Sequence, residues 1–389
     1  MNAMKLAALT ALALGATACP IPEQPAAAAP PATAISVATP DGTGYVQPRI
    51  SSDGTTVLYR READQNRGYA VSVDLIANSV GSPLTTVAHN VGDLLAVSPN
   101  GRFVVHSVII PGTYYGVNVY VRDLLLGTEV KLPDAPSRDS VAIAQSGGNV
   151  TIAWNITVYN SGNCPCLQHL KVWQAPEIGI SLGKVTLDKT LDSAPWTWPP
   201  GSFYGAYVGL TADGQFAFEQ NWKLRQIEKF STATGAKSIV PLQWPAFIDR
   251  GIAGAQEWIT FSSADGSTFY LDRNDLVSKP ALLKSGQPAV EIEPESALSA
   301  NAQWGVKLVT TPGPRPDGKT ISLVRTEIAT GVTRTIVSGE EALNNTDYFK
   351  FYSVSSPLAV SDSGKVTFGF WRAPLAGGTW PPSQIFIDG

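Results

Sequence analysis

The sequence predicts an all-β repeat protein, a β-propeller of seven four-stranded blades, and three observations lead there. An apolar strand, a Ser-x-Asp/Asn-Gly turn and a second apolar strand recur along the chain, clearly at residues 50–54, 97–101, 143–148, 210–214 and 360–364 and in worn form at 251–256 and 298–303. Gly54, Gly101 and Gly148 are spaced 47 residues apart, and a fixed period of this size is the mark of a repeat architecture. Only 15% of residues are charged while 35 are Gly and 29 are Pro, a composition that fits short strands joined by many turns. The third and sixth intervals stretch to 66 and 62 residues, so those two units carry insertions. Six or eight blades are the alternatives that the worn copies leave open.

Taken in order, residues 1–18 read as an export signal. Lys5 supplies a minimal positive start, residues 6–14 an apolar run too short to span a bilayer, and Ala16-Thr17-Ala18 a small-residue cleavage region. Cys19 follows. Ala16-Thr17-Ala18-Cys19 resembles a bacterial lipobox, with Ala where Leu is preferred, and the resemblance implies that the Cys19 thiol carries lipid. Acyl chains contribute about 0.8 kcal/mol per buried methylene, so two or three of them hold a protein at a membrane. Residues 19–34, rich in Ala and Pro, are expected to be a semi-stiff tether rather than a folded element. The propeller domain is then 35–389.

Within a unit the period-two alternation predicts strands at 102–108 and 117–123. Leu126-Gly127, Thr234-Gly235 and Thr330-Gly331 mark the hairpins that follow, Gly supplying the positive φ such turns use. The last unit runs through 365–370 and 383–387 and stops one strand short, which predicts that residues 33–38 add as its outer strand and close the ring. Residues 338–345 are the one short stretch that reads as helical. The phrase of turn, strand, Asp or Thr, two or three residues, Gly and strand resembles the repeats of periplasmic TolB-type and WD40-like propellers over 45–389. That resemblance implies an architecture and leaves the activity open.

The net charge of -4 and the scatter of the basic residues exclude the cationic stripe that nucleic acid requires. Cys164-Pro165-Cys166 is expected to form a disulfide in an oxidising compartment; the competing reading adds His169 as a third metal ligand, but the neighbourhood lacks a fourth. Gly179-Ile180-Ser181-Leu182-Gly183 matches a nucleophile elbow in letters only, because strand-like sequence follows where a helix is needed. Ser262 to Phe269 resembles a sialidase aspartate box one residue too short, and is better read as a hairpin turn. No catalytic residue, cofactor or metal is predicted.

Propellers bind ligands at the mouth of the central channel, at the entrances to the innermost strands. The repeat places Arg49, Asp93, Arg138, Asp139, Tyr204, Tyr207, Asp249, Arg250, Glu293, Glu295 and Tyr352 there. Trp196, Trp198, Trp244 and Trp380 sit in Pro-rich loops that can offer stacking faces, whereas Trp154, Trp258 and Trp304 lie in apolar strands and are expected between blades. The expectation is a monomeric envelope lipoprotein whose propeller is a non-catalytic binding or scaffolding module for a protein or glycan. The alternative is a carbohydrate-active hydrolase or lyase that uses the channel-mouth carboxylates.

Overall fold

The computed structural model describes residues 44–62, 73–79, 85–110, 117–134, 141–158, 167–191, 207–221, 224–245, 257–273, 279–312, 319–341, 349–350, 358–372 and 384–388. Their strands form seven four-stranded antiparallel sheets that follow one another along the chain, at 44–88, 91–131, 141–190, 208–240, 257–291, 297–341 and 349–388. In the first six, each strand pairs with the next in sequence. In the seventh, Ala359–Val360 and Gln384–Asp388 flank opposite edges of Val366–Arg372, with Phe349–Lys350 pairing at its far end. Across Val366 and Thr367 that sheet is three strands wide, and its outer strand has no further neighbour among the described residues. The predicted closing strand at 33–38 lies outside them.

The first strands of the sheets pack against one another. Gly44–Ile50 lies beside Val91–Val97 on one side and beside the strands of the seventh sheet on the other, and Val208–Leu210 lies between Val141–Ser146 and Glu257–Ser262. Sheets arranged radially, with first strands innermost and the last sheet against the first, make a β-propeller. The core sits between sheets rather than within one. Phe103, Val105 and Val121 of the second meet Ile152, Trp154 and Trp173 of the third, and Phe218 and Ile227 of the fourth meet Ile259, Phe269 and Leu271 of the fifth. Trp154 is fully buried and Trp304 packs on the cluster joining the sixth and seventh sheets, as their apolar strands predicted.

The repeated phrase is a hydrogen-bonded turn. The Ser51 hydroxyl donates to Asp53 Oδ1 at 2.6 Å and accepts the Thr56 amide at 3.0 Å, while the Thr55 amide donates to the same Asp53 oxygen. Ser98, Thr211, Ser263 and Ser299 repeat this arrangement with Asn100, Asp213, Asp265 and Asn301. Gly54, Gly101, Gly214 and Gly266 take φ of +67° to +73°, where a Cβ is strained. The turns also hold each other. Asp53 N–H donates to the Pro99 carbonyl, Ala212 N–H to Ala264, Ala264 N–H to Ala300, Asn301 N–H to Asp362 Oδ1, and Asp362 N–H to Ser52, which ties the seventh sheet back to the first.

Two expectations are corrected. The fifth turn is Ser263-Ala264-Asp265-Gly266, a full copy of the phrase and not just an isolated hairpin; residues 251–256, read as that copy, lie outside the described residues. Ser338 to Glu341 do not open a helix but end the strand Thr333–Glu341, because pairing with Lys319–Glu327 offers their backbone a ladder that a lone turn cannot match.

Candidate functional site

Five of the expected channel residues are described: Arg49, Asp93, Tyr207, Glu293 and Glu295. Asp93, on the inner strand of the second sheet, receives Arg60 Nη1 of the first sheet at 3.6 Å, and its amide donates to Ser107 Oγ at 2.8 Å. Glu293 is exposed and takes Lys279 Nζ at 2.5 Å, a hydrogen bond that holds its carboxyl below the usual range. Glu295 stands only two residues on in a different environment. Its side chain is 1% exposed, lies so close over Gly305 that a Cβ there would stand 2.9 Å from it, and meets Lys307 Nζ at 3.4 Å. Burial raises its pKa, and one oxygen has no hydrogen-bond partner. Its amide donates to the Tyr270 hydroxyl, whose own pKa burial pushes up to about 12.

Tyr207 sits at the entrance of the fourth sheet, hydrogen-bonds to Ser262 of the fifth, and is likewise raised by burial. It joins two sheets and is not a rim phenol. Arg49, on the inner strand Gly44–Ile50, has no partner among the described residues. Arg138, Asp139, Tyr204, Asp249, Arg250 and Tyr352 lie outside those residues, as do Cys19, Cys164, Cys166, Trp196, Trp198 and Trp380.

His169, the third ligand of the competing metal reading, pairs through Nδ1 with Asp188 Oδ1 at 3.2 Å. Among the described residues no group of three His, Cys, Asp or Glu side chains could hold a metal. The elbow-like segment forms a single 3-10 turn, Ile180–Leu182, with Ser181 exposed. Gly183 closes that turn because a Cβ there would stand 1.9 Å from the Trp173 ring.

Sequence reasoning missed the buried polar seam on the second strands. Glu219 is 2% exposed, accepts Asn155 Nδ2 of the third sheet at 2.8 Å through Oε1, and leaves Oε2 without a partner. Burial drives its pKa well above the usual carboxylate range, and the neighbouring Glu228 charge adds to this. Glu228 is itself buried but accepts from Asn221, Gln226 and Lys237. In the second sheet His106 is fully buried, stacks on Tyr120 and bonds Glu129 at 3.0 Å. The signal was in the letters: Glu219 follows Phe216-Ala217-Phe218 and His106 follows Phe103-Val104-Val105, so each polar side chain continues an apolar run, a position that demands a partner.

Asp93 and Glu295 are thus each paired with a cation, Glu293 is held by Lys279 at the surface, and Glu219 is buried with an amide but no cation beside it.

No family model matches this chain, and no curated protein does. Solved structures do. Oligogalacturonate lyase in complex with manganese aligns over 92% of this chain and 96% of its own, with a TM-score of 0.50 at 10% identity. The β-propeller domain of the Trilobed protease from Pyrococcus furiosus covers 89% of this chain and 95% of its own, at 11% identity and a TM-score of 0.47. TolB from Acinetobacter baumannii reaches 14% identity and a TM-score of 0.41 over 70% of this chain, which spans 61% of TolB. At such identities the likeness is one of fold.

Proposed function

We infer that this chain is a lipid-anchored cell-envelope protein whose propeller has seven blades, closed by residues 33–38, and works as a non-catalytic binding or scaffolding module for a protein or glycan. The observation that carries the non-catalytic reading is the separate neutralisation of Asp93, Glu293 and Glu295 by Arg60, Lys279 and Lys307. Acid–base cleavage of a glycosidic bond needs two carboxyl groups about 5 to 9.5 Å apart and facing one cleft. Asp93 is tied to a cation of the first sheet and Glu295 to one of the sixth, while Glu293 is held by Lys279 at the surface. The anchor rests on Cys19 and its flanking signal, and Cys164 with Cys166 would form a disulfide once exported.

A lyase or hydrolase is the second reading, and the fold likeness to oligogalacturonate lyase is what favours it. Asp139 and Asp249 would have to supply its carboxylates. One experiment separates the two: purified protein is incubated with a panel of acidic and neutral polysaccharides, and both retention and new reducing or unsaturated ends are measured. Retention without cleavage, or capture of an envelope protein by cross-linking, supports the module. Cleavage lost in an Asp139→Asn or Asp249→Asn variant sinks it. Labelling with radioactive palmitate that disappears in Cys19→Ser tests the anchor.

A further inference from the structure

The turn phrases and the hairpins between third and fourth strands share one end of the sheets. The Leu124 amide donates to the Arg102 carbonyl, Thr232 to Gln215, Ser285 to Ser267 and Ile328 to Gln303, so each hairpin rests beside its own sheet's turn. The connection 177–183 of the third sheet is at that end too, with the Glu177 amide on the Gly148 carbonyl. Of the large apolar side chains exposed among the described residues, Leu125, Leu126, Ile178, Leu182 and Val332 stand on these loops. Leu224 and Ile109 are at the opposite end, and Ile239 and Val290 lie on outer strands.

The turn itself does not call for leucine. Gly127 N–H donates to the Asp123 carbonyl, Gly235 N–H to Ser231 and Gly331 N–H to Glu327, so three hairpins close alike. Where the fourth and sixth sheets place Ala233-Thr234 and Ala329-Thr330, the second places Leu125-Leu126, 72% and 53% exposed. In the next sheet Ile178 and Leu182, 87% and 74% exposed, flank the 3-10 turn. Arg102 ties the two loops together, donating to Asp123 at the base of the hairpin and to the Glu177 carbonyl, while Glu129–Lys131 packs on Ile180–Leu182. Four long aliphatic side chains on two joined loops mark a surface that meets something apolar.

The course of the amino-terminal chain says what that is. Gln384–Asp388 runs antiparallel to Val366–Arg372, with Asp388 opposite Val366, directly after the seventh turn. A closing strand at 33–38 that continues this alternation enters beside Asp388, at the turn end, and a chain from Cys19 to residue 33 reaches at most about 50 Å. We propose that Leu125, Leu126, Ile178 and Leu182 dip into the lipid bilayer that holds Cys19 and seat the propeller with its turn end on the membrane. The net charge of -4 gives no general attraction to anionic lipid, so the contact is apolar. The lipid tethers and the four side chains orient. The opposite end, where Asp93 and Tyr207 enter their inner strands, then faces the aqueous compartment and stays open to ligand. This seat rests on the reading of the chain as lipid-anchored and closed by residues 33–38.

The test is flotation of residues 19–389 on phosphatidylcholine vesicles, with Cys19→Ser so that no acyl group is attached and the side chains act alone. This chain is expected to float. Adding Leu125→Asp and Ile178→Asp should weaken flotation by at least about tenfold, since binding scales with the apolar area buried. Leu224→Asp, at the opposite end, should float unchanged. With vesicles present, hydrogen exchange of the parent chain should slow at 124–127 and 177–183 and not at 224–226, a readout that needs no substitution. The proposal is overturned if the parent chain does not float, if Leu224→Asp weakens flotation as much as the pair, or if exchange slows at the opposite end instead. A dimer in sedimentation that the Asp pair dissolves, without flotation, gives the surface to a second copy and overturns it likewise. Palmitate labelling at Cys19 without flotation leaves the anchor standing and sinks the seat. Flotation without labelling supports the bilayer contact and sinks the anchor.

Discussion

At the scale of single residues, the polar groups that matter most are those that join neighbouring sheets. Arg102 donates bidentately to Asp123, at 3.0 Å to Oδ1 and 2.7 Å to Oδ2, and reaches across to the Glu177 carbonyl at 2.9 Å beside the third sheet. The Asp123 side chain is fully buried and also accepts the Leu125 and Leu126 amides. Arg102→Met leaves that carboxylate buried without its cation, which should cost about 3–5 kcal/mol. Urea titration followed by tryptophan fluorescence measures it, and a loss below about 1 kcal/mol would mean that the backbone amides alone suffice. Glu219 makes the opposite prediction. Burial raises its folded pKa above the unfolded value, so the folded state binds more protons and stability falls as pH rises above the ordinary glutamate range. Glu219→Gln keeps an acceptor for Asn155 and removes the ionisation. Its advantage over wild type should be absent at pH 4 and grow toward pH 8. A constant difference across that range would place the effect in packing instead.

At the scale of the element, the turn phrase explains both what could be read from the sequence and what could not. Ala302 holds φ +56° where other copies hold Gly54, Gly101, Gly214, Gly266 and Gly364, so Ala302→Gly should stabilise by about 0.5–1 kcal/mol as left-handed strain is relieved against greater chain entropy. Calorimetry checks it; destabilisation would show that the Ala302 methyl group packs usefully. The turn aspartates carry an acid dependence. At Asp53 burial raises the pKa, but the hydrogen bonds from Ser51 and Thr55 outweigh it, and at Asp213 the Thr211 hydroxyl lowers it outright. Their contribution is complete above the unfolded pKa near 3.8 and fades as pH falls through the lower folded values. Since Asn100 and Asn301 make the same turn, a variant with Asp53→Asn, Asp213→Asn and Asp265→Asn should fold normally and unfold less steeply between pH 4 and 2. The turns and their strands were legible because each phrase acts through a few local hydrogen bonds. The fifth unit is misplaced in the sequence because Ser263 to Gly266 reads locally as a plain hairpin turn, and only its bonds to the turns on either side mark it as a copy of the phrase. The burial of Glu295 over Gly305 and beside Lys307, by contrast, is not legible, since local pattern fixes the strand but not which neighbouring sheet covers it.

At the scale of the molecule, the weak point of a radial stack is the seam where the last sheet meets the first. Turn contacts cross it: Asp362 N–H to the Ser52 carbonyl at 2.8 Å, and Lys365 Nζ to the Gly54 carbonyl at 3.5 Å. Gly44–Ile50 also packs on the strands of the seventh sheet. Yet Gln384–Asp388 pairs on one side only among the described residues, and an unpaired outer strand invites both fraying and edge-to-edge association. If residues 33–38 complete that sheet, every backbone bond they add is gained across the seam, and the ring is fastened by a strand from the opposite end of the chain. Two truncations isolate the effect. A chain beginning at residue 31 retains the strand and should unfold at the temperature of one beginning at residue 19 if residues 19–30 act only as a tether. A chain beginning at residue 43 loses it and should unfold about 4–8 °C lower for each kcal/mol given up in a small domain, and about 2–4 °C in one of a few hundred residues. Hydrogen exchange locates the loss: amides of 366–372 and 384–388 should lose protection first, while those of 149–158 and 167–176, on the far side of the ring, should keep theirs until global unfolding. Equal melting of the two truncations, with unchanged exchange at 384–388, would show that the seam holds by its turns and side-chain packing alone.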